Sequence, residues 1–253
     1  MAESDPLFDV EGRVFLCAGA ASLLGSAVAR ALVERGARVA LADLHASAAD
    51  ELAALFPKES VIDAFGLDNC DEEGVEAAVR HVHAAGGRLD GLLNAAGVYR
   101  TAPMEELALA DLRASMEANF TGAFVLTRAA AGVMGEGGSI LHLSSVSAQV
   151  SNPGYAAYAS SKAALSHMVR VTARELAPRH IRVNAIGPAM TESPLVRSRL
   201  EEDAFLAQAV SHIPMGRLGV PGDIVAPALL LLSPGGAFIT GQTIYADGGR
   251  TLV

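Results

Sequence analysis

The chain has 253 residues, of which 51% are hydrophobic and 19% charged. That balance excludes a disordered chain and allows a substantial buried core. A formal net charge of −9 argues against nucleic acid or an anionic membrane as partner. Cys17 and Cys70 lack metal-ligand spacing and cannot build a disulfide framework, so no metal site is expected.

Short apolar runs alternate with helical stretches along the chain. Residues 13–18 (RVFLCA) read as a strand covered on both faces. Leu24, Ala27, Val28, Ala31 and Leu32 then fall on one helix face, and Gly36 suits the helix end. A strand at 38–43 and a helix at 46–55 follow, the helix stopping before Pro57. Next come a strand at 60–66 and a helix at 71–85 that closes at Gly86-Gly87. Strands at 89–94 and 139–144 flank a long helical segment over 104–131. The helix 155–177, the strand 181–186, the helix 221–232 with Pro227 inside, and the strand 242–246 complete the series.

This alternation predicts an α/β fold. The expected architecture is a single-domain, Rossmann-like doubly wound parallel sheet of about seven strands with helices on both faces, spanning 1–253. The stretch 187–217 lacks strand character and suits a substrate loop over about 188–217. The longest apolar run, 224–232, is far short of a bilayer span. Glu3, Asp5 and Asp9 are the wrong charges for a signal peptide. A soluble cytoplasmic protein is the resulting expectation.

The first strand–helix turn reads Ala18-Gly19-Ala20-Ala21-Ser22-Leu23-Leu24-Gly25. A helix N-terminus behind a glycine turn offers free amides and a favourable dipole to a pyrophosphate. The next strand ends in Asp43. A carboxylate there accepts from ribose hydroxyls and repels a 2′-phosphate, which favours NAD over NADP.

Tyr158 and Lys162 stand one helical turn apart on a predicted helix. A lysine ammonium beside a phenol is expected to lower the tyrosine pKa and fit it for proton transfer near neutrality. Ser145 lies at the C-terminal end of a predicted parallel strand, where open α/β sheets place ligands. His142 faces the other side of that strand and suits a core role, while Tyr155 is a candidate pocket residue. His81 and His83 read as surface residues of a helix.

Taken in order, these pieces resemble the classical short-chain dehydrogenase/reductase family over nearly the whole chain. The matching residues are Gly19–Gly25, Asp43, Asp68-Asn69, Asn94-Ala95-Ala96-Gly97, Asn119, Ser145, Tyr158 and Lys162. Gly187-Pro188-Ala189, Ile239-Thr240-Gly241-Gln242 and Asp247-Gly248-Gly249 follow in family order. The resemblance implies a catalytic set of Asn119, Ser145, Tyr158 and Lys162. Tyr158 would carry the substrate proton, Lys162 would lower its pKa and hold the nicotinamide ribose, Ser145 would position the carbonyl oxygen, and Asn119 would hold a water linking Lys162 to solvent. Cofactor contacts are implied at Gly19, Ser22, Leu23, Leu24, Gly25, Asp43, Leu44, Asp68, Asn69, Asn94, Ala95, Ala96, Gly97, Tyr158, Lys162, Pro188, Thr191 and Ser193. Substrate contacts are implied at Ser145, Gln149, Tyr155, Tyr158 and Met190, within walls at 146–155, 98–101 and 190–213.

The implied activity is NAD(H)-dependent interconversion of a secondary alcohol and a ketone by a small-molecule-specific homotetramer. One alternative is an NADP-dependent 3-oxoacyl thioester reductase. An alternative from another class is a catalytically silent dinucleotide-binding sensor or scaffold. Four positions depart from the family pattern: Ala18, Leu23, Ala95 and Ala189. Leu23 stands at the middle glycine of the turn: if that position needs φ > 0 a leucine costs about 1–2 kcal/mol, and otherwise the cost is mainly steric.

Overall fold

A computed structural model describes residues 5–192 and 203–253. Its centre is one seven-stranded parallel sheet in the order β3-β2-β1-β4-β5-β6-β7. The strands are β1 Val14–Ala18, β2 Arg38–Asp43, β3 Val61–Gly66, β4 Gly91–Asn94, β5 Ser139–Leu143, β6 Arg182–Pro188 and β7 Thr243–Ala246. β1, β4, β5 and β6 are buried at every residue, which is why the sequence shows them as apolar runs without alternation.

The helices are α1 Leu23–Val33, α2 Ala46–Ala53, α3 Glu72–Gly86, α4 Leu109–Met116, α5 Gly122–Val133, α6 Ala156–Leu176, α7 Asp203–Ser211 and α8 Pro221–Leu232. Two cores result. Val28 and Leu32 of α1, Leu52 of α2 and Ile224 and Leu231 of α8 pack with Phe15, Leu41, Leu93 and Leu141 on one face of the sheet. Val75, Val79 and Val82 of α3, Leu126 of α5 and Val169 of α6 pack with Leu16, Leu92 and Ile140 on the other. The doubly wound parallel sheet expected from the alternation is therefore the observed architecture. At the C-terminus of α8, the buried Arg182 guanidinium donates to Leu231 O at 2.6 Å and Ser233 O at 3.1 Å.

One expectation needs correction. The segment 104–131 is not one uninterrupted α-helix: α4 starts at Leu109, and a π-helical turn, Glu117–Thr121, separates it from α5. The residues of that turn (EANFT) carry no Pro or Gly to mark the wider i→i+5 spacing, so the sequence alone does not reveal it. Of the stretch 187–217, the described residues include α7 and Thr191, which forms a parallel bridge to Gly219.

Below the site, His142 is fully buried on β5. Its Nδ1 lies 3.2 Å from Asn94 Nδ2 and its Nε2 lies 3.0 Å from Thr127 Oγ1. Thr127 spends its own proton on Ala123 O, at 2.7 Å. His142 must therefore donate from Nε2 and accept at Nδ1, which is a neutral ring. Burial, aided by the Lys162 charge, pushes its pKa down to about 3. The unfolded chain binds a proton here below about pH 6.5 and the folded chain does not, so stability is lost as pH falls from about 6.5 towards about 3. His142→Asn is expected to remove this contribution. Urea unfolding should give a wild-type-minus-variant difference that is flat above about pH 6.5 and changes by at most about 1.4 kcal/mol per pH unit below it. A difference independent of pH from 4 to 8 would contradict the buried neutral ring.

Candidate active site

The sheet order reverses direction between β1 and β4, and the C-terminal ends of these neighbouring strands form the crevice where open α/β sheets hold ligands. Two turns meet there. Gly19, after β1, has φ +68°, and a Cβ on it would lie 2.4 Å from Ala96 N. Ala96 belongs to the turn after β4, where Ala95 N donates to Ala18 O at 2.8 Å and Asn94 Oδ1 accepts from Ala96 N at 3.2 Å. The buried Asn94 amide thus joins the turn to His142.

Ser22 caps α1, its Oγ accepting from Gly25 N at 3.1 Å. The amides of Leu23 and Leu24 stand at first-turn positions that an α-helix leaves unpaired. Leu23 is the first residue of α1 and is not among the residues with positive φ, so the strain considered for a leucine here does not arise. Only Gly19 in this turn needs the left-handed region. A Cβ on Gly25 would lie 2.3 Å from Gly19 O, so this position is tied to glycine by close approach.

Asp43 ends β2 and its Oδ2 accepts from Ala21 N at 3.0 Å, which brings the carboxylate to the glycine turn. Leu44 beside it is exposed. Asp68 Oδ1 accepts from Cys70 N at 2.9 Å. Asn69 is buried, and its Nδ2 lacks a hydrogen-bond partner among the described residues. An orphaned buried donor, free first-turn amides and a glycine with no room for a side chain together fit a nicotinamide dinucleotide lying across the switch point.

At the other side of the crevice, Ser145 follows β5, and its Oγ accepts from Ser147 N at 3.1 Å. Tyr158 and Lys162 project from α6, which starts just after Tyr155. Lys162 is buried, and its Nζ donates to Leu143 O at 2.8 Å and lies 5.8 Å from the Tyr158 ring centroid. Burial lowers the Lys162 pKa to about 8, so its charge is retained at neutrality and lost through mildly alkaline pH.

The Tyr158 pKa moves opposite to the sequence-based expectation. Desolvation raises it, the hydrogen bond with Ser145 lowers it, and the neighbouring Tyr155 raises it again. The ammonium faces the ring and bonds a carbonyl, so it does not outweigh desolvation of the phenolate. In the chain alone, Tyr158 is a phenol that holds its proton at neutral pH.

Asn119 sits in the π-helical turn and is buried. Its Oδ1 accepts from Val98 N at 2.8 Å, and its Nδ2 donates to Val98 O at 3.0 Å and Ser161 Oγ at 2.9 Å. Ser161 donates in turn to Tyr158 O at 2.7 Å. The side-chain amide therefore fastens the loop after β4 to α6. Gly97 closes this knot, since a Cβ there would lie 2.6 Å from Asn119 Oδ1 and 3.4 Å from Lys162 Nζ.

Pro188 ends β6, Met190 O accepts from Gly219 N at 3.0 Å, and Thr191 Oγ1 donates to Ala189 O at 3.1 Å. Gln149 is exposed. Ser193 lies outside the described residues. The sequence reading did not single out Tyr99, whose ring lies 5.0 Å from that of Tyr158, nor Ser161. Position in the 98–101 wall was the only signal for Tyr99.

A Rossmann-like sheet with a glycine-turn crevice beside a serine, a tyrosine and a lysine defines a nicotinamide-dependent oxidoreductase. A family model described as enoyl-(acyl carrier protein) reductase matches residues 19–251. D-threitol dehydrogenase of Mycolicibacterium smegmatis is 37% identical over 249 residues, covering 97% of this chain and 95% of that protein. A 3-oxoacyl-(acyl-carrier-protein) reductase of Thermotoga maritima is 36% identical over 250 residues, covering 96% of this chain and 99% of that one. Among solved structures, a gluconate 5-dehydrogenase from Burkholderia cenocepacia in complex with NADP and tartrate superposes with a TM-score of 0.92 at 30% identity, covering 98% of each chain. The chain belongs to the classical short-chain dehydrogenase/reductase family.

Proposed function

We propose that this chain interconverts a secondary alcohol and a ketone with NAD(H), using Tyr158 as general acid and base. The observation that carries this reading is the convergence of Ser145, Tyr158 and Lys162 at the edge of the crevice whose other wall is the Gly19 turn. The bound dinucleotide supplies the hydride acceptor or donor. Ser145 and Tyr158 hydroxyls hold the reacting oxygen, and Tyr158 gives it a proton in reduction or takes one in oxidation. Lys162 holds positive charge behind the phenol, and Asn119 keeps Val98, Ser161 and hence α6 in register.

Asp43 supports NAD over NADP, because its carboxylate at the Ala21 amide would meet a 2′-phosphate with like charge. The expected result is a kcat/KM for NADH at least about tenfold above that for NADPH, with the gap narrowed in Asp43→Asn. A preference for NADPH would favour the second reading, an NADP-dependent 3-oxoacyl thioester reductase. That reading draws support from the Thermotoga relative and from the NADP-bound neighbour. Homotetramer formation belongs to the proposal too; exposed Phe124, Val171, Phe238 and Leu252 are apolar groups that association would cover. The single-domain organisation and a cytoplasmic location are parts of the same reading. Among the described residues no helix is long and apolar enough to cross a membrane.

A further inference from the structure

The chain has four tyrosines and no tryptophan, and three of the tyrosines stand together at the site. The Tyr99 and Tyr158 rings are 5.0 Å apart at 71°, Tyr99 and Tyr155 are 5.7 Å apart at 78°, and Tyr155 and Tyr158 are 6.5 Å apart at 70°. All three contacts are edge-to-face, the arrangement aromatic quadrupoles favour. The rings come from separate elements. Tyr155 and Tyr158 lie at the start of α6, whereas Tyr99 follows Val98, which Asn119 grips by both backbone groups. The cluster is therefore held from two sides.

The Tyr99 hydroxyl donates to Tyr155 Oη at 2.6 Å. That bond consumes the Tyr99 proton and leaves Tyr155 with its own O–H to donate. That donor belongs to a ring whose centroid lies 6.5 Å from that of Tyr158, the phenol that handles the reacting oxygen. Among the described residues, Arg100, next to Tyr99 in the chain, faces Asp111 at 3.9 Å, and Arg250 bonds Asn152 at 3.1 Å and Val253 O at 3.2 Å. A wall of phenol rings carrying the Tyr155 O–H suits a neutral hydroxylated carbon chain better than a carboxylate.

We propose that Tyr99 and Tyr155 form a subsite for the oxygen on the carbon next to the reacting one, so that the substrate is a neutral vicinal diol or polyol and its partner the α-hydroxy ketone. This rests on Tyr158 acting as the acid and base. In oxidation the substrate loses a hydride, with its electron pair, to NAD⁺ and the hydroxyl proton to Tyr158; the C–H and O–H bonds break, a C=O bond forms, and the adjacent hydroxyl is unchanged. Tyr155 and Tyr99 are specificity residues in this scheme. Tyr155 touches the second oxygen, and Tyr99 orients Tyr155.

The test uses matched pairs: butane-2,3-diol against butan-2-ol, and trans-cyclohexane-1,2-diol against cyclohexanol. NADH formation is followed with wild type, Tyr99→Phe, Tyr155→Phe and Tyr158→Phe, and NADH binding is followed separately by its fluorescence. The diol is expected to exceed the mono-alcohol in kcat/KM by about tenfold or more. Tyr155→Phe should bring that ratio to within about threefold of one, chiefly by raising KM for the diol, with Tyr99→Phe intermediate. An equal ratio in wild type, a ratio unchanged in Tyr155→Phe, or a preference for hydroxy acids overturns the subsite and leaves the Tyr158 reading standing. NADH binding without turnover of any diol also overturns it. Failure to bind NADH, or full activity in Tyr158→Phe, overturns the parent reading instead.

Discussion

Replacing Tyr158 by phenylalanine is expected to lower turnover in both directions at least about 10²-fold, the scale of a lost general acid and base. The ring stays, so its edge-to-face contacts with Tyr99 and Tyr155 persist and the urea midpoint should move little. Retained folding with lost turnover separates chemistry from packing. The raised Tyr158 pKa adds a direction to the pH profile of the wild type. A phenol that holds its proton at neutral pH is ready as an acid, so ketone reduction should run at pH 7. Alcohol oxidation needs the phenolate and should climb as pH rises above neutrality. Near-normal turnover in Tyr158→Phe, or oxidation that falls steadily from pH 6 to 8, would count against this assignment.

Gly19→Ala is expected to be the most damaging single methyl addition in the crevice. The residue has φ +68°, which costs a side chain about 1–2 kcal/mol. The added Cβ would also lie 2.4 Å from Ala96 N, 2.6 Å from its Cα and 2.7 Å from Ala95 C, all of them backbone atoms that cannot swing aside. Overpacking of this kind typically costs a further ~1–3 kcal/mol. A total loss of roughly 2–5 kcal/mol should appear as a lowered urea midpoint with unchanged slope. NADH affinity should fall with it, because the shift separates the turn after β1 from the turn after β4. Leu23→Gly provides the contrast. Leu23 opens α1 without positive φ, so glycine there relieves nothing and is expected to be neutral or slightly destabilising. A stable Gly19→Ala variant with wild-type NADH binding would refute the close-approach argument.

Much of the site was legible because its signals are local. Tyr158 and Lys162 share a helix face by their spacing alone, and Asp43 ends its strand by position. Other features were not legible for a physical reason. The π-helical turn at Glu117–Thr121 lets Asn119 reach Val98, 21 residues earlier in the chain, and local periodicity contains no trace of that partner. Leu23 raised doubt only because a glycine is expected there; the backbone angle that decides the cost comes from how Ser22 caps α1.

The amino-acid order by itself determined the strand–helix alternation, the two-sided burial of the central strands and the residue types available for chemistry, because these follow from short-range periodicity and hydrophobicity. Only the tertiary structure decided that Gly19 abuts Ala96, that Tyr99 completes a tyrosine cluster, and that the Tyr158 pKa rises rather than falls. Each depends on groups far apart in the chain, and desolvation of a phenol is set by every wall around it rather than by its nearest charged neighbour.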